Sequence, residues 1–175
     1  MIFTETRLKG AFLIGIERHE DFRGYFARTF CEREFAERGL KTHFVQSSLS
    51  YNRLKGTLRG MHFQSTPMQE TKLIRCTRGA IFDVIIDLRR DSPSFKEHFT
   101  VELTADDAGA LYVPEGFAHG FQTLANDTEL IYQMTEFFAP ELSHGVRWDD
   151  PAFGIAWPAK VQVISERDRT YPNFE

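Results

Sequence analysis

The sequence predicts one all-β domain with a thin helical fringe, and three observations carry that expectation. Short runs of β-branched and aromatic residues, bounded by glycine, proline or polar turns, recur along almost the whole chain, as in Ala80-Ile-Phe-Asp-Val-Ile-Ile-Asp87. Phenylalanine occurs 17 times, a supply of large rigid side chains for a core or a pocket. Only one early segment, residues 31–38, has the composition of a helix, and it stops at Gly39, the residue type that closes helices in the left-handed conformation. At 175 residues the chain suits a single domain that buries roughly 70% of its unfolded surface.

Taken in order, residues 11–16 and 24–30 read as short strands, with residues 19–24 as the polar turn between them. After the helix, residues 43–49 lead as a strand into the polar, glycine-ended turn 52–56, and residues 57–64 form the next strand. Residues 72–77 and 80–88 flank Arg78-Gly79 and read as a hairpin. Strands at 99–103, 110–113, 120–124 and 128–135 follow at the spacing of sandwiches and barrels. From Pro140 onward Trp, Asp, Pro and Gly predominate, so this part is expected to be irregular, with a short helix near residues 165–169.

The bulk numbers exclude several classes. A net charge of −4 supplies no electrostatic attraction for nucleic acid or an acidic membrane. No apolar run approaches the ~20 residues of a membrane span, and Met1–Arg7 carries charge where a signal peptide needs an apolar run. The two cysteines, Cys31 and Cys76, have no zinc-type spacing, so a cytoplasmic protein with reduced thiols is expected.

The chemistry concentrates in Gly56-Thr-Leu-Arg-Gly-Met-His-Phe-Gln64. Strand alternation points His62 and Gln64 to one face and Met61 and Phe63 to the other. Strict alternation also sets Arg59 and His62 on opposite faces, unless Gly60 supplies a bulge that turns Arg59 inward. In the following strands alternation groups Lys72, Ile74 and Cys76, and separates Phe82, Val84, Ile86 and Leu88 from Ile81, Asp83, Ile85 and Asp87. A carboxylate in so apolar a strand demands a partner, and Lys72 across the expected hairpin is the candidate for Asp83. Tyr132 shares a face with Leu130 and Met134, either as a core residue or as a proton donor turned to a pocket. Asp168, in Ser165-Glu-Arg-Asp-Arg169, reads locally as part of a charged surface run.

The segment Tyr112-Val-Pro-Glu-Gly-Phe-Ala-His119 contains Pro-x-Gly-x-x-His, the second half of the cupin signature. The His-x-His half is replaced by His62-Phe-Gln64, and two imidazoles without a carboxylate make a poor divalent-metal site, so no metal is expected. Further motifs occur in order: Arg23-Gly-Tyr-Phe26, Gln46, Leu58-Arg-Gly-Met-His62, Lys72-Leu73, Asp87-Leu-Arg89 with Ser92-Pro93, Val113-Pro-Glu-Gly-Phe-Ala-His-Gly-Phe121, and Trp148-Asp-Asp-Pro151 with Ile155-Ala-Trp-Pro158. Over essentially its whole length the chain resembles the dTDP-4-dehydrorhamnose 3,5-epimerase family.

That resemblance implies a cupin-type double-stranded β-helix (jelly roll), a homodimer with N-terminal strands (about residues 1–30) exchanged, a nucleotide-diphosphate sugar as substrate, and no cofactor. Residue by residue, it makes His62 the general base, Asp168 the carboxylate that orients it, Tyr132 the opposing acid and Lys72 the stabiliser of an enolate oxygen. His119 becomes a pocket residue. Arg23, Phe26, Gln46 and Arg59 would contact the nucleotide sugar, the first two from the neighbouring subunit, and Phe138 would stack on the base. Removing a proton alpha to a ketone needs a base that titrates near neutrality, and histidine ordinarily does. Arginine suits a diphosphate through forked, charge-assisted hydrogen bonds. The chain departs from the family's commonest form at Arg28, Ser48, Ser143 and Phe138, where a carboxylate, Asn, Glu and Tyr are usual. A mono-epimerase acting on another keto sugar, and a non-catalytic nucleotide-sugar-binding cupin, stand as alternatives.

Overall fold

The computed structural model describes residues 1–174 and consists of two antiparallel sheets face to face, with a separate two-stranded hairpin. The strands are β1 (Ile2–Glu5), β2 (Phe12–Gly15), β3 (His19–Asp21), β4 (Gly24–Phe26), β5 (Gln46–Asn52), β6 (Leu58–Gln64), β7 (Lys72–Arg78), β8 (Ala80–Asp87), β9 (His98–Thr104), β10 (Ala110–Val113), β11 (Phe117–Thr123), β12 (Thr128–Met134) and β13 (Ser143–Gly145). Two short helices, α1 (Glu32–Ala36) and α2 (Glu166–Arg169), and one 3₁₀ turn (Pro140–Leu142) complete the described chain. The six-stranded sheet runs β1-β2-β10-β7-β12-β5 and the five-stranded sheet runs β13-β6-β11-β8-β9. This is the all-β jelly roll expected. Among the described residues no helix is long and apolar enough to cross a membrane.

Apart from the exposed edge strand β5, much of each sheet is covered on both faces, and the strand patterns show how. Between them lies a core that includes Ile74, Cys76, Ile81, Ile85, Leu111, Phe121 and Leu130. The alternate residues of β8, Val84 and Ile86, pack outward under the C-terminal segment with Met61, Phe153 and Trp157. On the opposite outer face Leu73 and Tyr112 lie beneath Phe35 of α1. A strand buried on both sides reads as a continuous apolar run, which is why Ala80–Asp87 is so hydrophobic. Burial pushes the Cys76 thiol up to about 11, so it behaves as a small core hydrophobe.

The expected hairpin around Gly79 does not form. β7 pairs with β10 and β12, whereas β8 pairs with β11 and β9 in the other sheet, so the chain changes sheets at Gly79. Asp83 and Lys72 are therefore not partners: Asp83 binds His119, and Lys72 binds Glu70. Local sequence cannot separate a two-strand turn from a corner between sheets, because both need a short polar link between apolar runs. Residues 19–24 are likewise more than a turn, since His19–Asp21 pairs with Gly24–Phe26 as a small hairpin. The strand expected over 24–30 ends at Phe26, and the one expected from 43 begins at Gln46.

The anticipated irregularity at Gly60 is present. His62 opposes His119 and Arg59 opposes Phe121, so Gly60 and Met61 of β6 face the single residue Gly120 of β11. This extra residue is a β-bulge, and it brings Arg59 round to the side of His62. The crossing is close: a Cβ on Gly60, where φ is +131°, would lie 2.5 Å from the Cα of Gly120. Gly60→Ala is expected to lower unfolding stability by about 2–4 kcal/mol through backbone collision and unfavourable φ, measured by denaturant melts against the parent.

Candidate active site

At one end of the space between the sheets the core gives way to a cavity of about 470 Å³. From the six-stranded sheet Gln46, Ser48, Lys72, Tyr132 and Met134 face it. From the five-stranded sheet Arg59, His62, Gln64, His119 and Phe121 do, and Phe138, Ser143 and Arg167 border it. The grouping follows from register, since Tyr132 opposes Ser48 and His62 opposes His119. Of the residues singled out in the sequence, the cavity gathers His62, Lys72, Tyr132, Gln46, Arg59, His119 and Phe138.

His62 is held by Asp168. The imidazole Nε2 lies 2.8 Å from Asp168 Oδ1, and the other carboxylate oxygen accepts the Gly60 amide at 3.1 Å. Asp168 is not part of a solvated charged run: α2 turns it inward, where it is 4% exposed, while its neighbours stay outside. Ser165 caps this helix by accepting from the Asp168 amide at 3.1 Å. Burial works to raise the Asp168 pKa, but the His62 hydrogen bond and charge, with the Gly60 and Ser165 bonds, outweigh it and hold the carboxyl below its ordinary range. With Nε2–H donated to the carboxylate, Nδ1 is left as the basic nitrogen.

A second imidazole–carboxylate pair lies beside the first. His119 Nε2 is 2.6 Å from Asp83 Oδ1, both are buried, and Asp83 Oδ2 has no hydrogen-bond partner. The Tyr132 ring meets His119 edge-on at 5.9 Å. Desolvation, reinforced by the Asp83 charge and only partly opposed by Arg59, pushes the Tyr132 hydroxyl well above its ordinary pKa. That phenol is a secure proton carrier.

The cations are placed by neighbours the sequence reading did not single out. Lys72 Nζ lies 3.0 Å from Glu70 and 3.4 Å from the His62 carbonyl. Arg59 Nε donates to the buried Asn52 Oδ1 at 2.8 Å, which leaves the guanidinium's terminal nitrogens free to meet a ligand. Gln64, in the place of a metal cupin's histidine, is a clamp. Its amide donates to the Met68 and Phe137 carbonyls and accepts from the Ala139 amide. Gln46, which lines the cavity, accepts from the Phe138 amide at 2.7 Å. Glu70 and Asn52 have no distinguishing local pattern; Asp83 did signal its burial, but its partner depends on topology. Among the described residues no group of three or more His, Cys, Asp or Glu is disposed to hold a metal ion.

Arg23 and Phe26 do not line this cavity. They sit on the β3–β4 hairpin, where Phe22 and Phe26 are 98% and 75% exposed and Asp21 pairs with the Arg23 guanidinium.

A family model described as dTDP-4-dehydrorhamnose 3,5-epimerase matches residues 5–175. A curated dTDP-4-dehydrorhamnose 3,5-epimerase from Methanothermobacter thermautotrophicus is 44% identical over 172 residues, covering 97% of this chain and 92% of that protein. The crystal structure of dTDP-4-dehydrorhamnose 3,5-epimerase from Bacillus anthracis, with TDP and PPi bound, superposes with a TM-score of 0.95 at 39% identity over 99% of each chain. An epimerase from Legionella pneumophila in complex with dTDP-4-keto-L-rhamnose superposes with a TM-score of 0.92 at 32% identity, covering 98% of this chain and 92% of that one.

The Asp168 carboxyl generates a pH prediction. Its pKa in the folded state is below the unfolded value, so its contribution to stability is complete above the ordinary carboxylate pKa of about 4 and is lost as pH falls through the depressed value. Thermal melts at pH 6 and pH 3 are expected to show a smaller acid-induced fall in Tm for Asp168→Asn than for the parent; an equal fall would contradict the assignment.

Proposed function

This chain belongs to the dTDP-4-dehydrorhamnose 3,5-epimerase family, and on that premise we propose how its cavity inverts carbons 3 and 5 of dTDP-4-dehydro-6-deoxy-D-glucose to give dTDP-4-dehydro-L-rhamnose. The observation that carries the assignment of roles is the pairing of His62 with the buried Asp168 in a cavity that also presents Tyr132 and Lys72.

Carbons 3 and 5 flank the ketone at carbon 4, so loss of either proton leaves an enolate with its charge on one oxygen. His62 Nδ1 takes the proton, and Asp168 fixes the ring and stabilises the imidazolium that results. Lys72, held by Glu70 in a nearly dry setting, supplies a cation to the enolate oxygen. Tyr132 returns a proton to the opposite face of the same carbon, and its raised pKa keeps it protonated until then. The ketone reforms, one proton having been removed and one returned, and His62 and Tyr132 reset by exchange with water. The reaction moves protons only and calls for no redox or metal cofactor.

Arg59 and Arg167 are assigned to the diphosphate, and Gln46 and Phe138 to the nucleoside. A homodimer accounts for Arg23 and Phe26: the exposed aromatic residues of the β3–β4 hairpin, and of the edge strand β5 with Leu49 and Tyr51, leave apolar surface that a second copy would cover. In that arrangement the hairpin brings Arg23 and Phe26 to the partner's cavity.

Incubating the protein with the keto sugar in D₂O is expected to introduce deuterium at carbons 3 and 5, followed by proton NMR. Exchange at carbon 3 alone would convert the reading to a mono-epimerase, and its absence from folded protein would remove it. His62→Ala should lower the rate by about 10²–10⁴. Tyr132→Phe should still exchange deuterium but return it with the original configuration. Chelator treatment should leave the rate unchanged; a loss restored by a stoichiometric metal would overturn the cofactor-free reaction.

A further inference from the structure

We propose that Tyr171 is a positioning residue that keeps Asp168 seated against His62, an inference that rests on the assignment of His62 as the base. The need for such a residue follows from α2. Four residues do not sustain a helix by themselves, and the cap from Ser165 fixes only its first turn. Arg167 reaches Ser143 of β13 through an exposed side chain, and the chain beyond Arg169 supplies the buried tie to the sheet.

Tyr171 does this by occupying space that a side chain would otherwise claim. Gly145 is the β13 residue paired with His62 in the β6 register. A Cβ on Gly145 would fall 2.3 Å from Tyr171 Cε2 and 2.4 Å from Cζ, so the ring lies directly on the glycine backbone. The same ring stands edge-on to the His62 imidazole, with centroids 6.0 Å apart and planes at 72°. The next residue is tied as well, since the Arg147 amide donates to the Pro172 carbonyl at 3.3 Å. The segment after α2 is thus pinned on the strand beside His62 and on His62 itself, with Asp168 between the cap and the pin.

The hydroxyl takes no part in this. Tyr171 Oη is buried and makes no hydrogen bond of normal geometry. Its polar neighbour is Arg167, whose guanidinium stands 5.7 Å from the ring centroid, so the ring acts chiefly by shape and contact, and a buried hydroxyl without a well-formed bond is a burden on stability. The proposal therefore separates the ring from the hydroxyl: phenylalanine should serve as well as tyrosine, and alanine should not. Displacing a catalytic group by about 1 Å can cost about 10² in rate, which sets the size of effect to look for.

The test is deuterium exchange into the keto sugar by Tyr171→Phe, Tyr171→Ala, Asp168→Asn and the Tyr171→Ala/Asp168→Asn double variant. Tyr171→Phe is expected to stay within about twofold of the parent in kcat, with an equal or higher Tm. Tyr171→Ala should lose about 10- to 100-fold in kcat, with any rise in KM no larger than that of Arg167→Ala, because the Arg167 guanidinium stands over the same ring. In the double variant Tyr171→Ala should add less than about twofold to the loss from Asp168→Asn, since its effect passes through that carboxylate. Additive losses, a Phe variant as impaired as the Ala variant, or an Ala variant with lowered Tm but parental kcat would each overturn the proposal. Should Tyr171→Ala not fold, Tyr171→Leu carries the same expectations. A parent that fails to exchange deuterium refutes the base assignment; a parent that exchanges alongside an unimpaired Tyr171→Ala refutes only the role of Tyr171.

Discussion

The site depends on one carboxylate that makes two bonds of different kinds. Asp168 Oδ1 holds the His62 ring, and Oδ2 accepts the backbone amide of Gly60, two residues earlier on the same strand. Gly60 is also the residue at which β6 bulges over Gly120 and turns Arg59 into the cavity. Base orientation, strand irregularity and placement of a cation are therefore one construction. A regular strand would send Arg59 away from His62, and a side chain at position 60 would strike the backbone of β11. The bulge leaves an amide to be satisfied, and the carboxylate that satisfies it is the one the imidazole requires.

The two walls of the cavity are tuned in opposite senses. On one, a carboxylate held in its charged form by hydrogen bonds supports an imidazole that must gain a proton. On the other, a phenol is kept neutral by burial and by the Asp83 charge behind His119. Asp83 thus has a double effect. It satisfies His119, and its field, only partly opposed by Arg59, disfavours a tyrosinate nearby. Losing either member of that buried pair would strand the other, a change that typically costs about 3–5 kcal/mol. The inversion proposed for this cavity needs a base on one face and an acid on the other, and this asymmetry in charge environment suits both.

Legibility in the sequence follows the range of the forces involved. Strand identity, the face on which His62 and Gln64 lie, the bulge at Gly60 and the short helix near Asp168 are governed by alternation, glycine and capping within a few residues, and they could be read directly. The family resemblance extended this to the roles proposed for Lys72, Tyr132 and Asp168, which no local pattern assigns. What local reading mistook was sheet membership: Gly79 looked like a hairpin turn, and Asp83 was given Lys72 as partner in place of His119. Sheet membership is decided by pairings such as β8 with β11, which join residues as distant as Ile81 and Thr123, and Asn52 and Glu70 acquire their tasks only once those pairings exist.

Of the residues at which this chain departs from the form that the family resemblance suggests, Ser48, Ser143 and Phe138 lie at the cavity and Arg28 does not. Ser143, where a glutamate is usual, accepts hydrogen bonds from Arg167 through both its hydroxyl and its carbonyl. These neutral acceptors fix the guanidinium without neutralising it, so Arg167 retains its full charge at the cavity border, where an anionic diphosphate benefits most. Arg28, in place of a carboxylate, pairs with Glu34 beside α1. Phe138 keeps an aromatic face and gives up a hydroxyl, while its backbone amide still engages Gln46. None of these positions is His62, Asp168, Tyr132 or Lys72, and those at the cavity stand among or beside the residues proposed above for recognition. On the proposed assignment the chemistry resides in the paired walls and the grip in the rim, so the rim can vary in charge while the same two protons are moved.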